Sequence, residues 1–423
     1  MMFFGLSRQQ VFKIIFLVAI ISSFAGPFLG TGIFSMYRIL IVILLLFYPD
    51  YFVKELLSRN IVDWLFIAFA YFAMLSLFWA PHIGRAINYS IALYFDLIFV
   101  VFIGFYMHYI KDYKQLAIMM HCVLISLLAI AFYEVVTNDH FSISDDQTDI
   151  FPAKAPMAFY GNPNNLVSLI AIIFPLVFST SNLIFRNSKY LDNLYIFILT
   201  ISTIVICIFS YSTAAILVIL MTLFLFFLLS PKKIRKLLFA IPIMILIYFS
   251  ITNFAVKRFS LVDFVEQGYR KVELSEASGP IRLKFLKICN MQFVDSYGFG
   301  GGSWAIDANM NKYSGKAEID VAGINSPHNF FGELAANYGF FIFLFLTIIV
   351  RKLFWYLNNI IYNQDIGWEK YILKGAFITL LIFPFITSLP SSAFQQRPYW
   401  IILGILLHYS LVKESQTAKY EQL

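Results

Sequence analysis

The chain has 423 residues, of which 60% are hydrophobic and 19% aromatic, with only 13% charged. So few charges cannot cover a soluble globular surface, and many apolar runs reach spanning length, so a polytopic membrane protein is the expected class. The formal charge of +7 reads as Lys and Arg retained on the cytoplasmic side rather than as a nucleic-acid footprint, and Cys122, Cys207 and Cys289 have neither metal-type spacing nor a disulfide framework.

Apolar runs at about 12–29, 32–48, 62–79, 88–107, 115–136, 163–180, 190–209, 212–229, 237–253, 329–350, 371–388 and 398–412 predict about twelve transmembrane helices. The first is read as a retained helix and not a signal peptide, because another long apolar run follows it. Basic residues test this count, since they should gather in alternate connections. With the N-terminus inside, eighteen of the 31 Lys and Arg fall on the cytoplasmic side, while the short outside connections hold only Arg85, Lys154 and Arg397. Both termini are then cytoplasmic. The expected fold is an all-α polytopic membrane protein: a bundle over 1–253, a large extracytoplasmic loop over 254–327, and C-terminal transmembrane helices over 328–423.

Two outside connections are long. The first, about 137–161, carries Asp139, Asp145, Asp146 and Asp149 and reads as a solvated acidic crossing rather than a divalent-cation site. The second, about 254–327, holds nine Lys or Arg and eight carboxylates, and a loop of that length is expected to be partly helical. Pro280 to Val294 is the predicted helix, with Ile281, Phe285, Ile288 and Phe293 near one face. A flexible turn follows at Gly298-Phe299-Gly300-Gly301-Gly302; it lacks the strand context and the Lys-Ser/Thr of a phosphate-binding loop.

Charges inside apolar runs are the first candidates for chemistry. With Lys13 and Lys374 counted among the inside connections, Arg38 is the one basic residue there, and Asp96 the clear carboxylate, both about two turns or less from the outside face. They form either an internal ion pair that fixes helix packing or a cavity in which Arg38 meets an anionic substrate. The second candidate is His328, which follows Pro327 on the outside and leads through Asn329 to Glu333 on the next helix. It is either an interfacial cap or a catalytic imidazole. A transporter would show repeated halves and deep charges; a polar loop flanked by helix ends suits an enzyme acting on a lipid-held substrate. Nucleotide-activated donors are absent outside, so the donor would itself be lipid-linked, and a departing pyrophosphate calls for Arg or Lys.

These residues resemble a known family. His328-Asn329, nine residues, then Gly339 is similar to the His-(Asn/Ser/Gln)-x9-Gly signature of the O-antigen polymerase and ligase superfamily of bacterial inner membranes. Arg282 to Leu286 matches its upstream Arg-x3-Leu element, Tyr297 to Trp304 its glycine turn, and Gly161-Asn-Pro-Asn-Asn165 the start of a middle helix. The resemblance implies a GT-C-like bundle with a partly helical periplasmic loop, no cofactor, and metal-independent transfer from an undecaprenyl-diphosphate-linked glycan. It implies His328 as the base on the acceptor hydroxyl and Arg282 as the diphosphate clamp. Partners would be lipid-linked glycans and membrane lipid, with a chain-length regulator protein as a candidate. Two departures stand out: Ile342 replaces a second glycine, and Ser212-Thr213-Ala214 stands where the family has Ser-Arg-Gly. A second diphosphate-binding arginine is then sought in Arg258, Arg270 or Arg38, with Asn329 and Glu333 as further substrate-binding candidates. The expected activity is a polysaccharide polymerase of the Wzy type that extends a lipid-linked repeat unit with inversion. A ligase using lipid A-core as acceptor is the alternative, and a lipid-linked oligosaccharide transporter the different-class one.

Overall fold

A computed structural model describes residues 6–25, 35–57, 61–141, 155–160, 163–185, 187–210, 212–228, 285–317, 330–362, 367–382 and 397–406. Among them there are helices and no β-strand. In chain order they are α1 (Arg8–Phe24), α2 (Met36–Phe47), α3 (Pro49–Leu57), α4 (Ile61–Leu75) with a 3-10 turn at Ser76–Trp79, and α5 (Ile83–Phe105), extended by a π turn at Tyr106–Ile110. Then come α6 (Tyr113–Thr137), α7 (Pro163–Ile184), α8 (Lys189–Phe209) and α9 (Thr213–Leu228). The C-terminal part holds α10 over 285–295, α11 (Ala305–Ala317), α12 (Phe330–Tyr338), α13 (Phe341–Tyr362), α14 (Trp368–Ile382) and α15 over 397–406.

Four of these helices are long and apolar enough to cross a membrane: Ile83–Ile110, Tyr113–Thr137, Pro163–Ile184 and Lys189–Phe209. The chain is thus a helical membrane protein, and the full set of twelve remains an expectation. The predicted ninth run, 237–253, lies outside the described residues, as do the ends of the long loop at 254–284 and 318–327.

Helix ends follow local chemistry. Ser7 and Gln10 form a reciprocal capping box at α1, the Ser7 Oγ accepting from the Gln10 N–H at 3.2 Å and Gln10 Oε1 from the Ser7 N–H at 2.8 Å. Asp112 caps α6 through the Gln115 N–H at 3.1 Å and pairs with Lys13. Ser212 caps α9 by accepting from the Ala215 N–H. That gives the serine a structural role where the family has Ser-Arg-Gly.

The main core runs from α1 through α7 to α14 and α15. Its tightest seam is α7 against α14. There Gly375 brings the two backbones together: an added Cβ would overlap Leu176 and lie 2.9 Å from the Pro175 carbonyl oxygen. Thr379 Oγ1 donates across the seam to the Ile172 carbonyl at 3.1 Å. A second, smaller core joins Phe285, Ile288 and Cys289 of α10 to Ile306, Met310 and Tyr313 of α11 and to Ala336 of α12. Phe285 and Ile288 were expected on the buried face of a loop helix, and both are buried there.

Two expectations change. The run 329–350 is not one helix: it breaks between Tyr338 and Phe341, with Gly339 at φ +65°. The physical reason is the close approach of the backbone at Gly298–Gly300 to Gly339. Asp96 is also deeper along its own helix than expected, because α5 begins at Ile83, thirteen residues earlier, or about 20 Å along the axis.

Candidate functional site

The site is built where α4 ends, α5 begins and the run 329–350 breaks. After α10 the chain turns through Ser296 to Gly302, with positive φ at Tyr297 (+52°), Gly298 (+81°), Gly300 (+82°) and Gly302 (+95°), and again at Trp304 (+63°). This turn lies directly on the C-terminal end of α12. Gly301 N–H donates to the Ala336 carbonyl at 2.8 Å, Gly302 N–H to the Asn337 carbonyl at 3.0 Å, and Phe340 N–H to the Gly298 carbonyl at 2.7 Å. Two carbonyls at the end of α12, which a continuing helix would have bonded, accept from the turn instead.

Glycine is required on both sides of this contact. A Cβ at Gly300 would sit 2.5 Å from the Gly339 nitrogen, and one at Gly339 would sit 2.6 Å from the Gly300 nitrogen and overlap Gly298 and Phe299. Close approach and left-handed backbone together exclude a side chain. Two of the motifs that carry the family resemblance, the glycine turn and the glycine that ends the His-x10-Gly pattern, therefore meet each other.

Polar side chains lock the junction. Asn337 Oδ1 accepts from the Ile306 N–H at 2.9 Å, and Gln292 Nε2 donates to the Ala336 carbonyl at 2.9 Å. Ser303 Oγ lies 3.1 Å from Ser76 Oγ, 2.8 Å from Ser90 Oγ and 3.0 Å from the Tyr338 hydroxyl. Trp79 Nε1 donates to the Gly300 carbonyl at 3.2 Å. All of Gln292, Ser303, Asn337 and Tyr338 are buried. Segments from positions 76–90, 285–306 and 336–340 are thus fastened into one unit at one end of the bundle.

Glu333 is fully buried, one turn before Asn337 on α12, and within electrostatic reach of Tyr89 on α5. The second substrate-binding candidate among the described residues, Arg38, is half-buried at the start of α2 with its guanidinium 5.7 Å from the Phe95 ring centre. Asp96 is 2% exposed and accepts from the Tyr37 hydroxyl at 2.8 Å. Arg38 and Arg397 both act electrostatically on this carboxylate, and Arg397 lies 5.0 Å over the Tyr37 ring. The expected Arg38–Asp96 neighbourhood is therefore a four-residue cluster. Tyr160, from the segment before α7, donates to the Phe24 carbonyl and also feels Arg397. His328, Asn329, Arg282, Arg258 and Arg270 lie outside the described residues.

Sequence reasoning did not single out Arg397, Asn337, Gln292 or the serine hydroxyls. Asn337 carried a usable signal, a polar residue four positions after Glu333 in an otherwise apolar run. Arg397 carried one too, since it opens an apolar run on the side assigned to Arg38. The serines carried none, because hydroxyls are common in membrane helices.

Two likenesses bear on this geometry. Residues 197–347 match the family described as O-antigen ligase. Over 353 residues the chain is 22% identical to the teichuronic acid biosynthesis protein TuaE of Bacillus subtilis (strain 168), an overlap covering 81% of this chain and 70% of TuaE. The resemblance to the O-antigen polymerase and ligase superfamily thus holds on a family match and on a relative, and residues 197–347, which contain the glycine turn and the helix break, are the O-antigen ligase-like part of the chain.

Proposed function

We propose that this protein is a polysaccharide polymerase that transfers a glycan from undecaprenyl diphosphate onto a second lipid-linked repeat unit. The observation that carries the reading is the junction itself: the glycine turn and the Gly339 break, both parts of the matched segment, fold onto one another. The same contact fixes the helix that His328 precedes. TuaE, named for teichuronic acid biosynthesis, supports a role in making a cell-envelope polysaccharide.

In this reading the acceptor hydroxyl oxygen attacks the anomeric carbon of the donor glycan while His328 takes its proton. The bond from that carbon to the diphosphate oxygen breaks with inversion, and the electron pair leaves with undecaprenyl diphosphate. Arg282 grips the departing diphosphate in forked geometry. Arg258 and Arg270 remain candidates for a second cation; Arg38 has support of its own, since Arg397 joins it from the far end of the chain. Asn329 and buried Glu333 are proposed to orient the acceptor. No metal is required. The reaction is assigned to the outer face of the bacterial inner membrane, with both termini cytoplasmic and a chain-length regulator as candidate partner.

The matched family's description favours a second reading, a ligase that delivers the same donor glycan to lipid A-core. One assay separates the two. Purified protein given lipid-linked repeat units alone, with EDTA present, lengthens them if it is a polymerase, and a ligase leaves them unchanged until lipid A-core is added. His328→Ala and Arg282→Ala proteins that insert correctly should lose the activity; normal chain growth by either would remove that residue from the mechanism.

A further inference from the structure

We propose that the glycine turn and the two helix ends beside it form an aromatic collar seated in the membrane–water interface. By sequence this turn belongs to a water-exposed loop. Its side chains contradict that setting. Tyr297 is 92% exposed and Phe299 56% exposed at the tip, and Tyr297 is held there by left-handed backbone at φ +52°. A rigid turn that presents two bare aromatic rings to water exposes apolar area that a bilayer interface would cover.

The rings are continuous with membrane helices. Phe299 meets Phe340 edge-on at 6.2 Å, Phe340 adjoins Phe341 at 4.4 Å, Phe341 stacks on Phe72 of α4 at 3.8 Å, and Phe72 leans on Trp79 at 5.7 Å. The Trp79 indole N–H closes the circuit on the Gly300 carbonyl. Beside it Phe78, at the end of α4, is 87% exposed. The series therefore leaves the turn for α13, crosses to α4 and returns to the turn. Tyr297 and Trp79, each an apolar ring with a polar tip, are the residue types that interfaces favour, and the Phe rings between them supply apolar area. Water-facing chemistry lies on the other flank of the same segment, where Lys316 and Asp295 pair at 2.9 Å with both side chains about half exposed and Lys312 is exposed. The occupant that fits this arrangement is bilayer lipid at head-group depth. A lipid carrier whose head group lies at that depth reaches the junction without leaving the membrane.

The test reads depth directly and does not depend on the polymerase assignment. Full-length protein carrying Cys122→Ser is given single nitroxide labels through Tyr297→Cys, Phe299→Cys, Phe78→Cys or Lys312→Cys. It is then placed in nanodiscs of phosphatidylcholine and phosphatidylglycerol. Collision with oxygen should exceed collision with a water-soluble nickel chelate at positions 78, 297 and 299, and the order should reverse at 312. Nickel access at 297 and 299 equal to that at 312 would overturn the proposal. So would labels there that neither collider reaches, since a second copy or another protein would then cover the collar.

Discussion

The α7–α14 seam and the glycine-turn junction are both close backbone approaches enabled by glycine, yet they are made of different materials. At the seam Gly375 lets two helices cross beside Leu176, Pro175 and the Ser179 hydroxyl, with one threonine bond between the helices. At the junction three backbone hydrogen bonds, an asparagine, a glutamine and a serine hub join segments far apart in sequence. The seam spreads the cost of a small shift over many contacts of about 0.1–0.2 kcal/mol each. The junction does not, since a buried donor that loses its acceptor costs about 1–3 kcal/mol. Stability should therefore be shared between the two regions, while geometry relevant to function should be concentrated in one.

The largest effect is expected from Gly339→Ala. The new Cβ would overlap Gly298 and Phe299, at a residue whose φ of +65° already disfavours any side chain. Overpacking and left-handed strain together should cost about 3 kcal/mol or more. The thermal transition of the purified protein should fall, and glycan transfer should be lost even in the fraction that remains folded.

Gly375→Ala is the matched lesion in the seam. Its Cβ would also meet backbone, at Leu176 and the Pro175 carbonyl, so the helices must separate at a cost of about 2 kcal/mol. Here the transition should fall while activity per folded molecule stays near that of the parent. If Gly375→Ala abolished transfer as completely as Gly339→Ala, the proposed division of labour between the regions would be wrong.

Asn337→Ala removes the acceptor of the buried Ile306 N–H and should cost about 1–2 kcal/mol. Because Asn337 also holds the start of α11 against α12, its stability loss should be accompanied by a fall in transfer rate. Asn337→Asp, which keeps the acceptor oxygen, should restore part of both.

How far the sequence foretold these regions follows the same division. Helix positions came from apolar run length, and the seam helices stand where runs 163–180 and 371–388 put them. Burial of Phe285 and Ile288 followed from spacing around one helix face. The glycine turn could be identified as a turn because glycine has few other uses in such a cluster. Its docking partner could not, because 336–339 reads as the continuation of an apolar helix and nothing local announces a break except one glycine. Long-range polar contacts such as Ser303 with Ser76 and Ser90, or Arg397 with Tyr37 and Asp96, bring together positions more than 200 residues apart. Neither periodicity nor composition encodes a pairing of that range.

Ser303→Ala is the smallest lesion and the most informative about coupling. The Ser303 hydroxyl is within hydrogen-bond distance of Ser76, Ser90 and Tyr338, and the Ser303 N–H donates to Ser76 Oγ at 3.2 Å. Removing the hydroxyl leaves that backbone bond intact, and Ser76 Oγ keeps the Ala73 carbonyl as its acceptor at 2.6 Å. The stability cost should therefore be about 1 kcal/mol or less. Tyr338, at the end of α12 and one residue before the break, loses the Ser303 hydroxyl that lies 3.0 Å from its own. Ser303→Ala and Tyr338→Phe should then be non-additive, the double variant being little worse than the more damaging single one. Additive losses would mean that the serine and the tyrosine act separately, and that the N-terminal helices touch the junction without helping to hold it.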